Sequence, residues 1–165
     1  MTNSQDDASL LILWHSRTHA AEQMARAAFE GAGGAAKLLA AADAEPDMLL
    51  AAAGYLFVCP ENLAAMTGMM KEMFDRCYYP LLGRIEGRPY ATAISAGSDG
   101  SGAQAQIDRI VTGWRLRRVA DPLIVNLEAQ TPEAILARKT VPEAQLQRCS
   151  ELGAALGEGL QLGIF

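Results

Sequence analysis

The segment YLFVCPENLAAMTGMMKEMFDR, residues 55–76, decides the fold class of this chain. Its opening run, YLFVC, is continuously apolar, which is typical of a strand buried on both faces of a sheet. Its second part, residues 64–76, places methionines and a phenylalanine at helical spacing. A short turn, PEN, separates the two. A strand, a loop and a helix in succession predict one unit of an α/β domain.

The same alternation of apolar runs and amphipathic segments continues on both sides. Strands are predicted over residues 10–14, 36–41, 55–59, 89–96 and 119–125, and helices over residues 19–30, 46–53, 64–76, 103–115 and 142–162. Residues 126–141 form a less regular connection, and the polar residues 1–8 are expected to be disordered. The pattern predicts a single α/β domain, residues 1–165, in which helices cover both faces of a parallel sheet.

Charge and cysteine usage exclude several classes of function. The net charge is −5, and no dense basic stripe is present, which argues against nucleic-acid binding. Cys59, Cys77 and Cys149 are widely spaced and contain no CxxC pair, so neither a disulfide framework nor a metal site is expected. The first residues lack the pattern of a signal peptide, and the longest apolar run is shorter than the roughly 20 residues of a membrane helix. We expect a cytoplasmic protein without a membrane partner.

Three loops of distinct chemistry follow three of the predicted strands. Loop 1 (residues 16–21) offers hydroxyls at a helix N-terminus, which suits a phosphate, although a plain helix cap is equally compatible. Loop 2 (residues 60–63) and loop 3 (residues 96–102) contain Pro, Gly and small polar residues, which suit a flat ring held by backbone groups. Because ligands bind outside the carboxyl ends of parallel strands, this combination predicts a flavin mononucleotide (FMN) site. The candidate cofactor-binding residues are Ser16, Arg17, Thr18, His19, Ala20, Ala21, Pro60, Glu61, Asn62, Leu63, Ala96, Gly97, Ser98, Asp99, Gly100 and Gly102.

Other nucleotide-binding folds do not match the sequence. No G-x-G-x-x-G follows the first strand, and no G-x-x-x-x-G-K-[ST] occurs. A phospho-acceptor receiver domain needs an Asp at the end of its third strand, where this chain has Cys59. No nucleophile–base pair is evident either, so no catalytic side chain is predicted and the chemistry is expected to come from the cofactor.

The segment CPENLAAMTGMMKEMFDR, residues 59–76, resembles the flavodoxin-like reductases. In that family the third strand ends in a Pro turn, and a helix with a Lys, an aromatic residue and an Asp-Arg pair follows. The segment SAGSDGSGAQAQIDRI, residues 95–110, is similar to the third loop of the family, and the resemblance extends over residues 10–160. It implies a flavodoxin-like three-layer sandwich, whose five-stranded parallel sheet has the order 2-1-3-4-5, with FMN between strands one and three.

The resemblance also implies a function and a role for each loop. Loop 1 would hold the phosphate, and loops 2 and 3 would line the two edges of the ring, with Gly97, Gly100 and Gly102 allowing close backbone approach. Electrons would pass from NAD(P)H through the flavin to a small acceptor such as a quinone, and reductases of this kind are commonly homodimers or tetramers. The chain departs from the family in two ways: His19 replaces a Gly and Ala21 a hydroxyl residue of the phosphate loop, and loops 2 and 3 contain no aromatic residue. Two alternatives stay open, an electron carrier of flavodoxin type and a flavin-free scaffold.

Overall fold

The computed structural model describes residues 9–165; the predicted disorder of residues 1–8 lies outside them. The strands are β1 (Leu10–Trp14), β2 (Ala36–Ala40), β3 (Gly54–Asn62), β4 (Ala65–Met66), β5 (Pro89–Ala96), β6 (Arg117–Arg118) and β7 (Leu123–Asn126). The helices are α1 (Ala20–Ala32), α2 (Pro46–Ala51), α3 (Gly68–Leu81), α4 (Ser101–Gly113), α5 (Pro132–Leu136) and α6 (Glu143–Leu162). Helices cover both faces of a largely parallel sheet, so the predicted α/β sandwich is confirmed.

The sheet has the order β2-β1-β3-β5, and β6 and β7 both pair with β5 at its outer edge. The predicted order 2-1-3-4-5 is confirmed, with β5 as the fourth strand and β6 and β7 sharing the place of the fifth. The predicted strand over residues 119–125 is shorter than expected. Residues Asp121 and Pro122 precede β7 without pairing, since a proline has no N–H to donate to a ladder.

The strand register brings the three loops to one edge. Trp14 pairs with Val58, Pro60 with Ser95, and Ala96 with Asn126, all in parallel. The carboxyl ends of these strands therefore lie side by side, those of β1, β3, β5 and β7. This edge of the sheet is the crevice in which open α/β folds bind ligands.

Two apolar layers hold the helices against the sheet. On one face, Phe57, Phe74 and Trp114 are buried, with ring centroids 5.1 Å apart for Phe57–Phe74 and 5.7 Å apart for Phe74–Trp114. Full burial of a side chain as large as Phe contributes roughly 1.5–3 kcal/mol. On the other face, α1 and α6 pack so closely that a Cβ on Gly153 would lie 1.9 Å from the carbonyl oxygen of Ala28. Among the glycines of the last helix, Gly153 thus serves the contact with α1.

Helix α3 begins later than the sequence pattern predicted. Strand β3 continues to Asn62, and a tight turn at Leu63 and Ala64 leads into β4, which pairs with β3 in the antiparallel sense. Both turn residues have positive φ, 54° and 60°, as a two-residue hairpin turn of type I′ requires. No local signal predicted this hairpin, because turns of this type usually contain Asn or Gly. Within residues 9–165, no helix combines the length and apolar character needed to cross a membrane.

Candidate functional site

Loop 1 leaves a helix N-terminus without a side-chain cap. Residue His19 precedes α1 in a left-handed conformation, with φ 78°, and its side chain does not cap the helix. The family's loop has a Gly at this position, and His19 adopts a glycine-like backbone there at the cost of some strain. The first amides of a helix have no partner within it, so this end of α1 presents N–H groups and the positive end of the helix dipole. The side chains of Ala20 and Ala21 are buried in the core, so these two residues offer only their backbone.

The hydroxyl of Ser16 is the most specific ligand signal in loop 1. Its Oγ is buried and has no hydrogen-bond partner. An unpaired buried hydroxyl costs about 1–3 kcal/mol, so such groups are normally paired in a native protein. Lying beside an uncapped helix start, this hydroxyl is suited to donate to an anion.

One acidic side chain lies near the same helix start. The Nδ1 atom of His19 is 2.8 Å from Oε2 of Glu22, and Arg26 contacts the other carboxylate oxygen at 3.0 Å. The hydrogen bond from Arg26, with the contact from His19, holds the pKa of Glu22 below its ordinary value. The carboxylate is therefore paired, and the exposed Arg17 adds a positive charge to loop 1.

A histidine that the sequence did not assign links loop 1 to α3. Nδ1 of His15 is 2.8 Å from Oγ1 of Thr67, which is buried and directly precedes α3. Burial, and then the charge of Arg17, lower the pKa of His15, which favours the neutral form of its ring. The two residues are 52 positions apart, and no local pattern could have paired them.

Loop 2 (residues 60–63) contains the end of β3 and the first turn residue of the β3–β4 hairpin; the hairpin spans residues 61–66. Pro60 is half-buried, whereas Asn62 and Leu63 are exposed, Leu63 to 93%. The carboxylate of Glu61 points to α4 and accepts hydrogen bonds from the backbone N–H groups of Gly100, Gly102 and Ala103. The structure therefore gives the Glu61 side chain a partner within the chain, and a contact of loop 2 with a cofactor stays a prediction.

Contacts or backbone conformation within the chain explain each glycine of loop 3. A Cβ on Gly97 would lie 2.9 Å from the carbonyl oxygen of Ala129, and one on Gly102 would lie 2.1 Å from that of Ala64. Gly100 has φ 97°, which L side chains rarely adopt. Within the loop, Asp99 accepts hydrogen bonds from the N–H and the hydroxyl of Ser101. Packing and turn geometry within the chain account for these contacts, and a second role of loop 3 towards a ring remains a prediction.

The connecting segment (residues 127–142), between β7 and α6, also borders this edge, and the sequence pattern did not predict that. At its start, the side chain of Asn126 donates to the carbonyl of Ser98 in loop 3, at 2.7 Å. Near its end, the N–H of Lys139 donates to the carbonyl of Thr18 in loop 1, at 2.8 Å. The side-chain amide of Gln23 on α1 donates to the Lys139 carbonyl and accepts from the Val141 N–H. The segment thus spans from loop 3 to loop 1.

A separate groove of about 360 Å³ lies between α3 and α4. Its lining consists of Lys71, Phe74, Asp75, Tyr78, Gln106, Arg109 and Ile110. None of these residues belongs to the three loops, so the groove is distinct from the crevice at the sheet edge.

The chain is similar in structure to proteins of the flavodoxin-like fold. It superposes on a WrbA-like flavodoxin from Agrobacterium tumefaciens with a TM-score of 0.75 at 16% identity, covering 94% of this chain and 98% of that one. With a flavodoxin from the domain Archaea the TM-score is 0.73 at 17% identity, covering 93% of this chain and 99% of that one. With a flavone reductase the TM-score is 0.69 at 15% identity, covering 93% of this chain and 63% of that one. No protein-family model and no curated protein matches the chain. The resemblance drawn from the sequence is confirmed as a fold: the chain has the flavodoxin-like fold.

Proposed function

We propose that this chain is a flavin-dependent oxidoreductase that binds FMN at the carboxyl edge of its sheet. The observation that carries the proposal is the Ser16 hydroxyl, which is buried without a partner beside the uncapped start of α1. The structural neighbours named flavodoxin, WrbA-like flavodoxin and flavone reductase support the same class. The residues present fit a phosphate, because Ser16 and the first amides of α1 can donate, and Glu22, the acidic residue in the first turn of α1, is paired with Arg26.

The ring of the cofactor would lie between loops 2 and 3. Both loops leave backbone groups at the edge, and neither contains an aromatic side chain. An open ring face allows a second flat molecule to stack on the flavin, which favours a reductase over a carrier that shields its ring. When bound, the flavin would supply hydride and electron transfer, and the chain would bind it, orient it and set its environment.

We further propose that electrons pass from NAD(P)H to a small acceptor such as a quinone, in the cytoplasm and in a homodimer or tetramer. The exposed apolar side chains of Leu63, Tyr79 and Leu82 are surface that such an assembly would cover. The electron-carrier alternative is supported by the neighbours named flavodoxin and by the acidic net charge of −5, which suits docking to basic partners. Steady-state oxidation of NADH and NADPH by the flavin-loaded protein, with a quinone acceptor, separates the two functions, since a carrier would show no turnover.

A binding experiment tests the cofactor itself. The purified protein is freed of ligands and titrated with FMN and with FAD, and quenching of flavin fluorescence gives the two dissociation constants. We expect FMN to bind more tightly, because the uncapped start of α1 after loop 1 suits a single phosphate and nothing in the sequence indicates an adenosine site. Preference for FAD would contradict the assignment, and absence of flavin binding would favour the flavin-free scaffold.

The variant Ser16→Ala tests the position of the phosphate. Loss of one donor to a charged acceptor weakens binding by about 1–3 kcal/mol, or roughly 5- to 150-fold in the dissociation constant. Thr112→Ala is the matched control, since it also removes one hydroxyl but lies near the end of α4, where it bonds the Asp108 carbonyl. Equal FMN affinity in both variants would place the phosphate elsewhere.

A further inference from the structure

The N-terminus of α4 is closed by a carboxylate from another loop. Oε1 of Glu61 accepts from the Gly100 N–H at 2.9 Å, and Oε2 accepts from those of Gly102 and Ala103 at 2.9 and 3.2 Å. These amides have no partner within the helix, and the dipole favours a negative charge at this end. The side chain that caps α4 therefore comes from the end of β3, about 40 residues earlier in the chain.

Two further contacts fasten the hairpin, residues 61–66, along α4. The N–H of Met66 donates to Oε1 of Gln106 at 2.8 Å. At the turn, the carbonyl of Ala64 rests on Gly102, where a Cβ would be only 2.1 Å away. The hairpin is thus attached to α4 at its first strand, at its turn and at its second strand.

The attachment stabilises a conformation that the hairpin sequence alone would not favour. Leu63 and Ala64 both have left-handed backbone conformations, which cost roughly 1–2 kcal/mol for each L-residue. Leu63 is almost fully exposed, so its own packing does not offset that cost. The hydrogen bonds of Glu61 and Gln106 can offset the cost of these conformations. A hydrogen bond to a charged group such as the Glu61 carboxylate contributes about 1.5–3 kcal/mol.

We infer that Glu61 is a positioning residue, which fixes the distance between loops 2 and 3 and so builds the slot for the flavin ring. This inference rests on the proposed function. Glu61 acts through α4 and the hairpin, and its carboxylate does not contact the cofactor. By placing a carboxylate at the start of α4, it also makes that helix start unfavourable for a second anion.

Two variants of Glu61 test the inference. Glu61→Ala removes the carboxylate and leaves space for a small carboxylate ion, whereas Glu61→Gln keeps the volume but replaces one acceptor oxygen by an amide donor. The matched control is Glu158→Ala, on the exposed surface of α6. For each protein, FMN affinity and the visible spectrum of the bound flavin are measured in sodium acetate and in sodium chloride of equal ionic strength. Circular dichroism verifies that each variant is folded.

We expect both Glu61 variants to bind FMN about tenfold more weakly and to shift the flavin spectrum, because the loops must then be ordered on binding. Acetate should restore the affinity and spectrum of Glu61→Ala by occupying the start of α4, but not those of Glu61→Gln. A loss of stability alone would not respond to acetate in this selective way. If Glu61→Ala fails to fold, Glu61→Gln carries the test of affinity and spectrum.

Three results would overturn the inference, and they are distinguishable. Unchanged affinity and spectrum in the Glu61 variants would remove the positioning role and leave the proposed function intact. Weaker binding that acetate and chloride affect equally would show that the carboxylate at α4 is not what matters. Failure of the unsubstituted chain to bind flavin would overturn the proposed function, and the inference with it.

Discussion

Substitution of Gly102 by Ala tests the contact between the hairpin and α4 without involving any ligand. The added Cβ would lie 2.1 Å from the carbonyl oxygen of Ala64 and 3.2 Å from Oε2 of Glu61. The opposing oxygen belongs to the backbone, so rotation of a side chain cannot relieve the overlap. Helix and hairpin must separate by about 1 Å, in an interior packed as densely as a crystal.

The expected cost follows from two effects. Overpacking of this kind costs about 1–3 kcal/mol, and a separation of the hairpin also weakens the charge-assisted bonds of Glu61, at about 1.5–3 kcal/mol each. The better helix propensity of Ala returns at most about 1 kcal/mol. We therefore expect Gly102→Ala to lower the free energy of unfolding by about 3 kcal/mol, which corresponds to a Tm about 10 °C lower for a chain of this size.

The control is Gly68→Ala, at the first residue of α3, where no atom lies within 4 Å of the added Cβ. Here the change should be neutral or stabilising by about 0.5 kcal/mol, since Ala restricts the unfolded chain. Urea unfolding, followed by circular dichroism and by the fluorescence of Trp14 and the buried Trp114, measures both variants. A Gly102→Ala protein as stable as Gly68→Ala would refute the close contact on which the role of Glu61 depends.

Two predictions concern titratable groups. Burial raises the pKa of Cys59 to about 12 and that of Cys149 to about 11, and Cys77 is also buried. The native protein should therefore not react with a thiol reagent at pH 8, whereas the urea-unfolded protein should show all three thiols. Burial alone would raise the pKa of Asp108, but hydrogen bonds, that from Arg118 first, hold it below its ordinary value. Its charged form therefore stabilises the fold above the unfolded pKa of about 3.9, and this contribution is lost as the pH falls through the lower folded pKa. Asp108→Asn should be less stable than the unsubstituted protein at pH 7, and the difference in unfolding free energy should shrink below about pH 4; a constant difference would contradict this.

The elements of the sheet could be predicted because their signals are local. The bounds of β1 and β5 agree with the predicted strands, since a strand buried on both faces needs an unbroken apolar run. Where a local signal was weak, the boundaries moved. Strand β3 extends to Asn62 because it pairs with β4, and nothing in the pair Leu63-Ala64 indicates a hairpin turn.

The candidate site was predictable as a place but not as a set of contacts. Parallel strands bring their loops to one edge whatever the loops contain, so the position of loops 1, 2 and 3 followed from the strand pattern. The carboxylate of Glu61 binds amides that lie 39 to 42 residues further along the chain, and His15 binds a residue 52 positions away. No local pattern predicts contacts over such separations. The connecting segment has no periodic pattern, and its anchors at Asn126 and Lys139 become visible only in three dimensions.

Backbone strain is concentrated at the edge that we propose as the binding site. Within residues 9–165, the non-glycine residues with positive φ are His19, Leu63, Ala64, Arg115 and Glu128. Apart from Arg115, each lies before α1, at the hairpin turn or in the connecting segment, which together border the crevice. Strained conformations persist only where surrounding contacts fix them, and they collect where a chain must present a defined surface. Here contacts within the chain, those of Glu61, Gln106 and Gln23, fix the hairpin, the start of α4 and the connecting segment, which lowers the ordering cost of binding at this edge.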